Sequence, residues 1–319
     1  MDWFGTPMTP LAGGYSGETF LVGAGDDEVV MRIYARDPER CVVDASLLRL
    51  LEGVLPVPHV LDERPATDGK PGVLVTERLR GKGLDLVLPA ASTEQRIQIG
   101  EHLGRLLATL SGIPMLRFGM FARADLHISS TRLPTDLVEW AGRFRDTGRL
   151  AGWSEPDWHG LLTLVERAET LLTGEPHPTR QPDPRIGRVV LCHSDFNPKN
   201  ILIYPDSLGI IGLLDWEFAH AGSPYTDLGN LTRFERQPDF VDAVMTTYVD
   251  HAPPLVADPL LLGRAADLWA LIELAGADRS NDVRRLAEEL LLAQARDQDL
   301  MAWPWVTSRR SPAVSTIQR

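Results

Sequence analysis

Eight residues near the middle of the chain, HSDFNPKN at 193–200, are framed by apolar runs, and an acidic motif, LLDWE at 213–217, follows 20 residues after the first aspartate. The flanking segments RVVLCH (188–193), NILIY (200–204) and GIIGLLDW (209–216) are rich in β-branched and leucine residues and read as short strands. A fold that satisfies this pattern carries Asp195, Asn200 and Asp215 on strand ends, beside one another. Asp and Asn are also ordinary turn formers, but three of them at this spacing between apolar strands point to a site.

Those residue types are the parts that phosphoryl transfer needs. Asp195 is placed to accept or orient the proton of an attacking hydroxyl, help worth roughly 10²–10⁴-fold. Asn200 offers a neutral oxygen and Asp215 a carboxylate to Mg²⁺, a hard cation that prefers oxygen ligands and bridges nucleotide phosphates. The interval from Asp195 to Asn200 equals that of the kinase catalytic-loop signature, with a metal-binding Asp beyond it. His193 is expected to pack and hydrogen-bond rather than titrate. The reading is an ATP-dependent small-molecule kinase, with GTP left open.

Two further features fit. In LAGGYSGETF (11–20), Gly13, Gly14 and Gly17 let backbone amides approach phosphate oxygens and Ser16 offers a hydroxyl, although a plain hairpin turn has the same composition. The alternating run EVVMRIY (28–34) carries Arg32 where a lysine is expected, and arginine grips phosphate with two donors. A carboxylate on the following helix (38–52) should fix that cation; Asp44 is the first choice, Glu39 and Glu52 the alternatives.

The remaining pattern is strand-rich to about residue 80 and helical after it, with helices expected at 92–112, 135–145, 157–173 and over most of 238–300. Ser92 and Gln95 spell a capping box. GEPHPTRQPDPRIG (174–187) holds four prolines and reads as an exposed connection, and 307–319 as a frayed tail. The expected architecture is α+β in two lobes, residues 1–80 and 81–319, with a cleft between them. A net charge of −12 argues against nucleic acid or an anionic membrane and is compatible with a cationic substrate. Two distant cysteines, no basic n-region and no run of about 18 apolar residues lead to a cytoplasmic expectation.

The chain resembles the aminoglycoside phosphotransferase-like kinases, distant relatives of the protein kinases, through PLAGGYSGETF, the strand with Arg32, DASLLRLLEGVLPVPHVL, VTERLRG, HSDFNPKNIL and LLDWEFAHAGSPYTDLGNL. The resemblance implies a protein-kinase-like fold with a small β-rich lobe, a hinge at which Glu77 and Leu79 offer backbone groups to adenine, and an enlarged helical lobe. It also implies that Asp227 braces the catalytic loop. Gly17 stands where many relatives have Asn, Asp44 where a longer Glu is usual, and Lys199 where glycine is common. DWE in place of D-F-G, no A-P-E segment and no Arg before Asp195 speak against a protein substrate.

In that family the acceptor is read by residues beyond the metal Asp and on the C-terminal helices. Glu217 is the first candidate. Glu235, Asp239, Asp267, Glu273 and Asp278 would add negative potential, and Trp269 a stacking face. The expected reaction is O-phosphorylation of a cationic, hydroxylated antibiotic, an aminoglycoside or a capreomycin- or viomycin-type peptide, giving resistance. The alternative is a metabolic kinase acting on a sugar, an amino alcohol or a homoserine-like acceptor, since the same motifs serve both. A catalytically silent nucleotide binder is the third reading, motivated by Arg32 and Asp44. Oligomeric state is left open.

Overall fold

A computed structural model describes residues 6–11, 18–129, 136–173, 188–253, 258–277 and 281–305. The glycine loop with Gly13, Gly14, Ser16 and Gly17, the proline-rich stretch 174–187, Asp278 and the C-terminal tail lie outside these residues.

The N-terminal part is a five-stranded antiparallel sheet of β1 (Met8–Leu11), β2 (Glu18–Val22), β3 (Val29–Tyr34), β4 (Val60–Arg64) and β5 (Gly72–Glu77), in the order β1-β2-β3-β5-β4, with helix α1 (Arg40–Leu51) between β3 and β4. In β3, the sequence VVMRIY puts Val29 and Met31 on one face of the sheet, where they pack with Val22 and Val75. Arg32 points to the other face, as the period of two requires.

After β5 the chain forms β6 (Lys82–Gly83), the short helix α2 (Leu84–Val87) and the long α3 (Thr93–Ser111). The capping box is present at α3: Ser92 accepts from the Gln95 amide and the Gln95 side chain accepts from the Ser92 amide. Strand β7 (Gly119–Met120), helices α4 (Leu137–Thr147) and α5 (Glu155–Thr173), and strands β8 (Val190–Cys192), β9 (Ile201–Ile203), β10 (Ile210–Leu213) and β11 (His220–Gly222) follow. The strands make two small sheets, β10-β9-β6 and β7-β11-β8. The catalytic-loop residues 193–200 therefore join one small sheet to the other, and Asp215 follows β10.

Helices α6 (Thr226–Thr232), α7 (Pro238–His251), α8 (Pro259–Gly276) and α9 (Asp282–Asp297) complete the described chain. One core runs from Tyr34 and α1 through α3 and the β8–β10 strands to α7, and a second lies among α4, α5, α8 and α9. The result is α+β in two lobes, sheet first and helices after, as the sequence leads one to expect. No helix among the described residues is long and apolar enough to cross a membrane.

Helix α6 is absent from the sequence-based expectations, because TDLGNLT contains weak helix formers. Packing sustains it. A Cβ on Gly229 would stand 2.2 Å from the Gly263 carbonyl and 2.7 Å from the Asp267 Cβ, so α6 rests directly on α8 only because position 229 has no side chain. Neither obstacle is the far end of a flexible side chain, so the two helices would have to separate. Gly229→Ala is expected to destabilise the protein by about 1–3 kcal/mol, the usual cost of overpacking, read as a lowered midpoint in denaturant or thermal melts.

Candidate active site

The catalytic loop is held from below by one carboxylate. Asp227, at the start of α6, accepts from the backbone amides of His193 (2.9 Å) and Ser194 (2.7 Å). Asp227 is buried, which raises its pKa; the His193 ring and the two N–H groups work against that rise. The brace matters because Ser194 sits in the left-handed region at φ 67°, a conformation that costs a non-glycine residue free energy unless its surroundings hold it. Asp227 thus joins the start of α6 to the backbone just before Asp195.

His193 is fully buried and works as a scaffold. The Asp195 amide donates to its Nδ1 (3.2 Å), so Nε2 carries the proton and donates to the Leu214 carbonyl (2.9 Å). That bond ties the catalytic loop to the segment ending in Asp215. The ring also stands edge-on to Trp216, centroids 4.7 Å apart.

Asp195 is oriented by two amides. Asn197 donates to its Oδ1 (2.6 Å) and Asn200 to its Oδ2 (2.7 Å), and Asn200 also bonds the Asp195 carbonyl (2.9 Å). Asn197 is not among the residues singled out from the sequence, and its place inside HSDFNPKN is the signal that points to it. Lys199 leaves its ammonium 3.6 Å from Asp195 Oδ2 with the side chain 64% exposed, so it faces solvent beside the carboxylate.

Asp215 also adopts a left-handed conformation, φ 65° and ψ 66°. Its Oδ1 accepts from Arg32 Nη1 at 2.7 Å, and the second guanidinium nitrogen, Nη2, reaches Glu217 Oε2 at 2.5 Å. Burial opposes the Arg32 charge, but Tyr34, Asp215 and Glu217 more than offset it, and its pKa lies above the ordinary arginine value.

The expected Arg32–Asp44 pair does not form. Asp44 Oδ1 accepts from Arg40 Nε (2.6 Å), one turn earlier on the same face of α1, and Oδ2 accepts from the Tyr34 hydroxyl (2.7 Å). An aspartate is one methylene shorter than a glutamate, and the neighbour at i−4 captures it first. Arg40 in turn donates to the Trp216 carbonyl (2.6 Å), so α1 holds the backbone next to Asp215 rather than the cation on β3. Of the alternatives, Glu39 is exposed and Glu52 pairs with His59 at 2.9 Å.

At the expected hinge, the Glu77 amide donates to the His59 carbonyl (3.0 Å), and the His59 amide donates to the Glu77 side chain (2.9 Å). The Leu79 amide makes no hydrogen bond among the described residues.

The residues suit Mg²⁺. Asn200 spends its NH₂ on Asp195, which leaves its Oδ1 as an acceptor, and Asp215 stands at the neighbouring strand end. Among the described residues no group of three or more His, Cys, Asp or Glu could hold a metal by itself. That fits an ion held by one or two protein oxygens and otherwise by phosphates and water.

The proposed acceptor residues do not converge as expected. Glu217 is committed to Arg32 with its side chain 5% exposed. Asp267 is buried and bound by Arg233 through Nε (2.8 Å) and Nη2 (2.6 Å), with Asn230 on the same carboxylate at 2.9 Å. Trp269 is half-buried against the helical core, its carbonyl accepting from Trp140 Nε1 at 3.1 Å and its ring centroid 5.9 Å from that of Trp140. Asp239 pairs with Arg96. Glu235 is half-buried with no hydrogen-bond or ion-pair partner among the described residues, and Glu273 is exposed on α8. Burial opposes the charge of the Arg233 guanidinium, and Asp267, then Asp195 and Glu273, favour it.

A family model described as the phosphotransferase enzyme family matches residues 7–260. Three solved structures share the fold over most of their length. A Ralstonia eutropha JMP134 protein, assigned provisionally as an aminoglycoside phosphotransferase, is 16% identical, with 92% of this chain and 91% of that one covered at a TM-score of 0.63. Aminoglycoside phosphotransferase APH(4)-Ia, in a ternary complex with AMP-PNP and hygromycin B, is 17% identical, with 91% and 93% covered and a TM-score of 0.62. The GDP complex of an aminoglycoside 2'-phosphotransferase-IIIa variant is 17% identical, with 92% and 87% covered and a TM-score of 0.61. Acyl-CoA dehydrogenase family member 11 of Mus musculus is 35% identical over 71 residues, which are 22% of this chain and 9% of the mouse protein.

Burial pushes the Glu235 carboxyl up to about 7. The folded state then holds a proton that the unfolded chain, with a glutamate pKa near 4.3, has released, so stability falls as pH rises between those values. Glu235→Gln should melt at the same temperature as the parent near pH 4.5 and higher than the parent at pH 8. Equal melting temperatures at pH 8 would show that Glu235 is charged at no cost.

Proposed function

Because the chain belongs to the phosphotransferase enzyme family, we propose that it moves the γ-phosphoryl group of ATP to a hydroxyl of a small molecule bound between an N-terminal lobe (1–80) and a C-terminal lobe (81–319). The observation that carries this reading is the Asn200 amide, which bonds both the carbonyl and the carboxylate of Asp195. One side chain thereby orients the base and presents an oxygen on the metal side.

In this reading Asp195 accepts the proton of the acceptor hydroxyl through the oxygens that Asn197 and Asn200 hold in place. Asp215 and Asn200 hold Mg²⁺, which when bound neutralises charge on the transferring phosphates. Arg32 grips phosphate oxygens, Glu77 and Leu79 meet the adenine through their backbone, and Gly13, Gly14, Ser16 and Gly17 are assigned to the phosphates from the sequence alone. The nucleotide is ATP, with GTP left open, and the enzyme works in the cytoplasm.

For the acceptor, a cationic hydroxylated antibiotic remains a reading, supported by the net charge of −12 and by the fold shared with a protein that holds hygromycin B. One observation favours a metabolic acceptor instead. Glu217, Asp239 and Asp267 are each neutralised by an arginine, so three of the acids that would attract a polycation are spent inside the protein.

The experiment is Mg²⁺·ATP-dependent ADP release against aminoglycosides, tuberactinomycin-type peptides, macrolides and small alcohols. Asp195→Ala should lower turnover by roughly 10²–10⁴-fold while nucleotide still binds, and Asp215→Ala should lose Mg²⁺-dependent nucleotide binding. Full activity in Asp195→Ala would sink the mechanism.

A further inference from the structure

We propose that Glu217 is the carboxylate that positions Arg32 for the nucleotide phosphates, a role that kinases of this architecture give to a glutamate on the helix after the cation's strand. The proposal rests on the reading above and adds to it a residue with no assigned part in nucleotide binding.

The geometry is specific. Arg32 offers two nitrogens in one plane and meets two acids, Asp215 through Nη1 at 2.7 Å and Glu217 through Nη2 at 2.5 Å. A lysine, a point charge on a flexible stem, could not hold both in a fixed fork. Asp215 has a second duty at the metal, and an oxygen shared with a metal is a poor permanent anchor for a cation. Glu217 is buried, with its side chain 5% exposed.

The backbone beneath it is fixed on several sides. Arg40 bonds the Trp216 carbonyl (2.6 Å), the Trp216 indole donates to the Leu213 carbonyl (3.0 Å), and the Ala219 amide closes the single turn on Trp216 (2.9 Å). A short, braced turn can therefore carry the positioning carboxylate.

The helix cannot supply it. Both oxygens of Asp44 are spent on Arg40 and Tyr34, Glu52 is paired with His59, and Glu39 is exposed. Asp44 does lie near enough to Arg32 for their charges to interact, so the helix acid keeps its neighbourhood but has lost the contact. Its work passes to a residue 185 positions beyond Arg32 in the chain.

The test uses the full chain and Mg²⁺·AMP-PNP, with binding measured by calorimetry over a range of free Mg²⁺. Glu217→Gln should weaken nucleotide binding about 10-fold or more, as expected for a lost charge-assisted bond, with the Mg²⁺ concentration at half-saturation unchanged. Arg32→Lys should weaken it similarly. In the Arg32→Lys background Glu217→Gln should add little, because both changes remove one interaction. Glu217→Asp, which keeps the charge, should recover part of the affinity and covers the case in which Glu217→Gln fails to fold.

Three outcomes would overturn the proposal. Undiminished loss from Glu217→Gln in the Arg32→Lys background would mean that Glu217 acts without Arg32. A shifted Mg²⁺ midpoint would make it a metal ligand. Unchanged nucleotide affinity, with only the acceptor KM raised, would return it to the acceptor site. If the parent chain binds no Mg²⁺·AMP-PNP, the functional reading fails, and this role with it. If the parent binds and Asp215→Ala does not, a negative result at Glu217 counts against Glu217 alone.

Discussion

The interaction on which the site depends most is the pair of hydrogen bonds that the His193 and Ser194 amides donate to Asp227. It fixes a left-handed residue immediately before Asp195, and every later contact assumes that turn. The His193 ring is aimed at Leu214 by it, Asn197 and Asn200 meet Asp195 because of it, and the strand that follows starts in register with β10. A buried carboxylate is costly by itself. Here the carboxylate accepts from two backbone amides, which offset part of that cost.

A second layer of contacts sets the sheet lobe against the catalytic segment. Arg32 and Arg40, from β3 and α1, both reach residues 215–217, one through side chains and one through a backbone carbonyl. The two arginines divide the work between them. Arg40 shapes the turn, and Arg32 takes the acids that the turn presents. Tyr34 and Asp44 complete the arrangement from inside, so that a helix without its usual long acid still bears on the site.

The sequence was legible where local rules dominate. The capping box at Ser92 and Gln95, the alternation in VVMRIY and the loop 193–200 with Asp215 each follow from short-range pattern, and each is found in place. It was illegible where contacts are distant or elements are too short for a period. Helix α6 stands on the contact of Gly229 with Gly263, and strand β6 is two residues long. The partner of Arg32 lies at the far side of the chain, and no spacing rule reaches it. The fate of Asp44 was different. Arg40 lies four residues before it, and that i, i+4 signal pointed to the pair that the structure contains. The acceptor side was least legible, because an acidic residue in a sequence says nothing of the arginine that pairs with it in space.

Strand β6 has a mechanical consequence. Lys82 and Gly83 pair with Ile203 and Leu202, just after Asn200, while β5 ends in the sheet at Glu77. Only four residues, 78–81, separate the last strand of one sheet from the first strand of the other. A connection this short reaches only roughly 3.3–3.6 Å per residue, so it limits how far the end of one sheet can move from the start of the other.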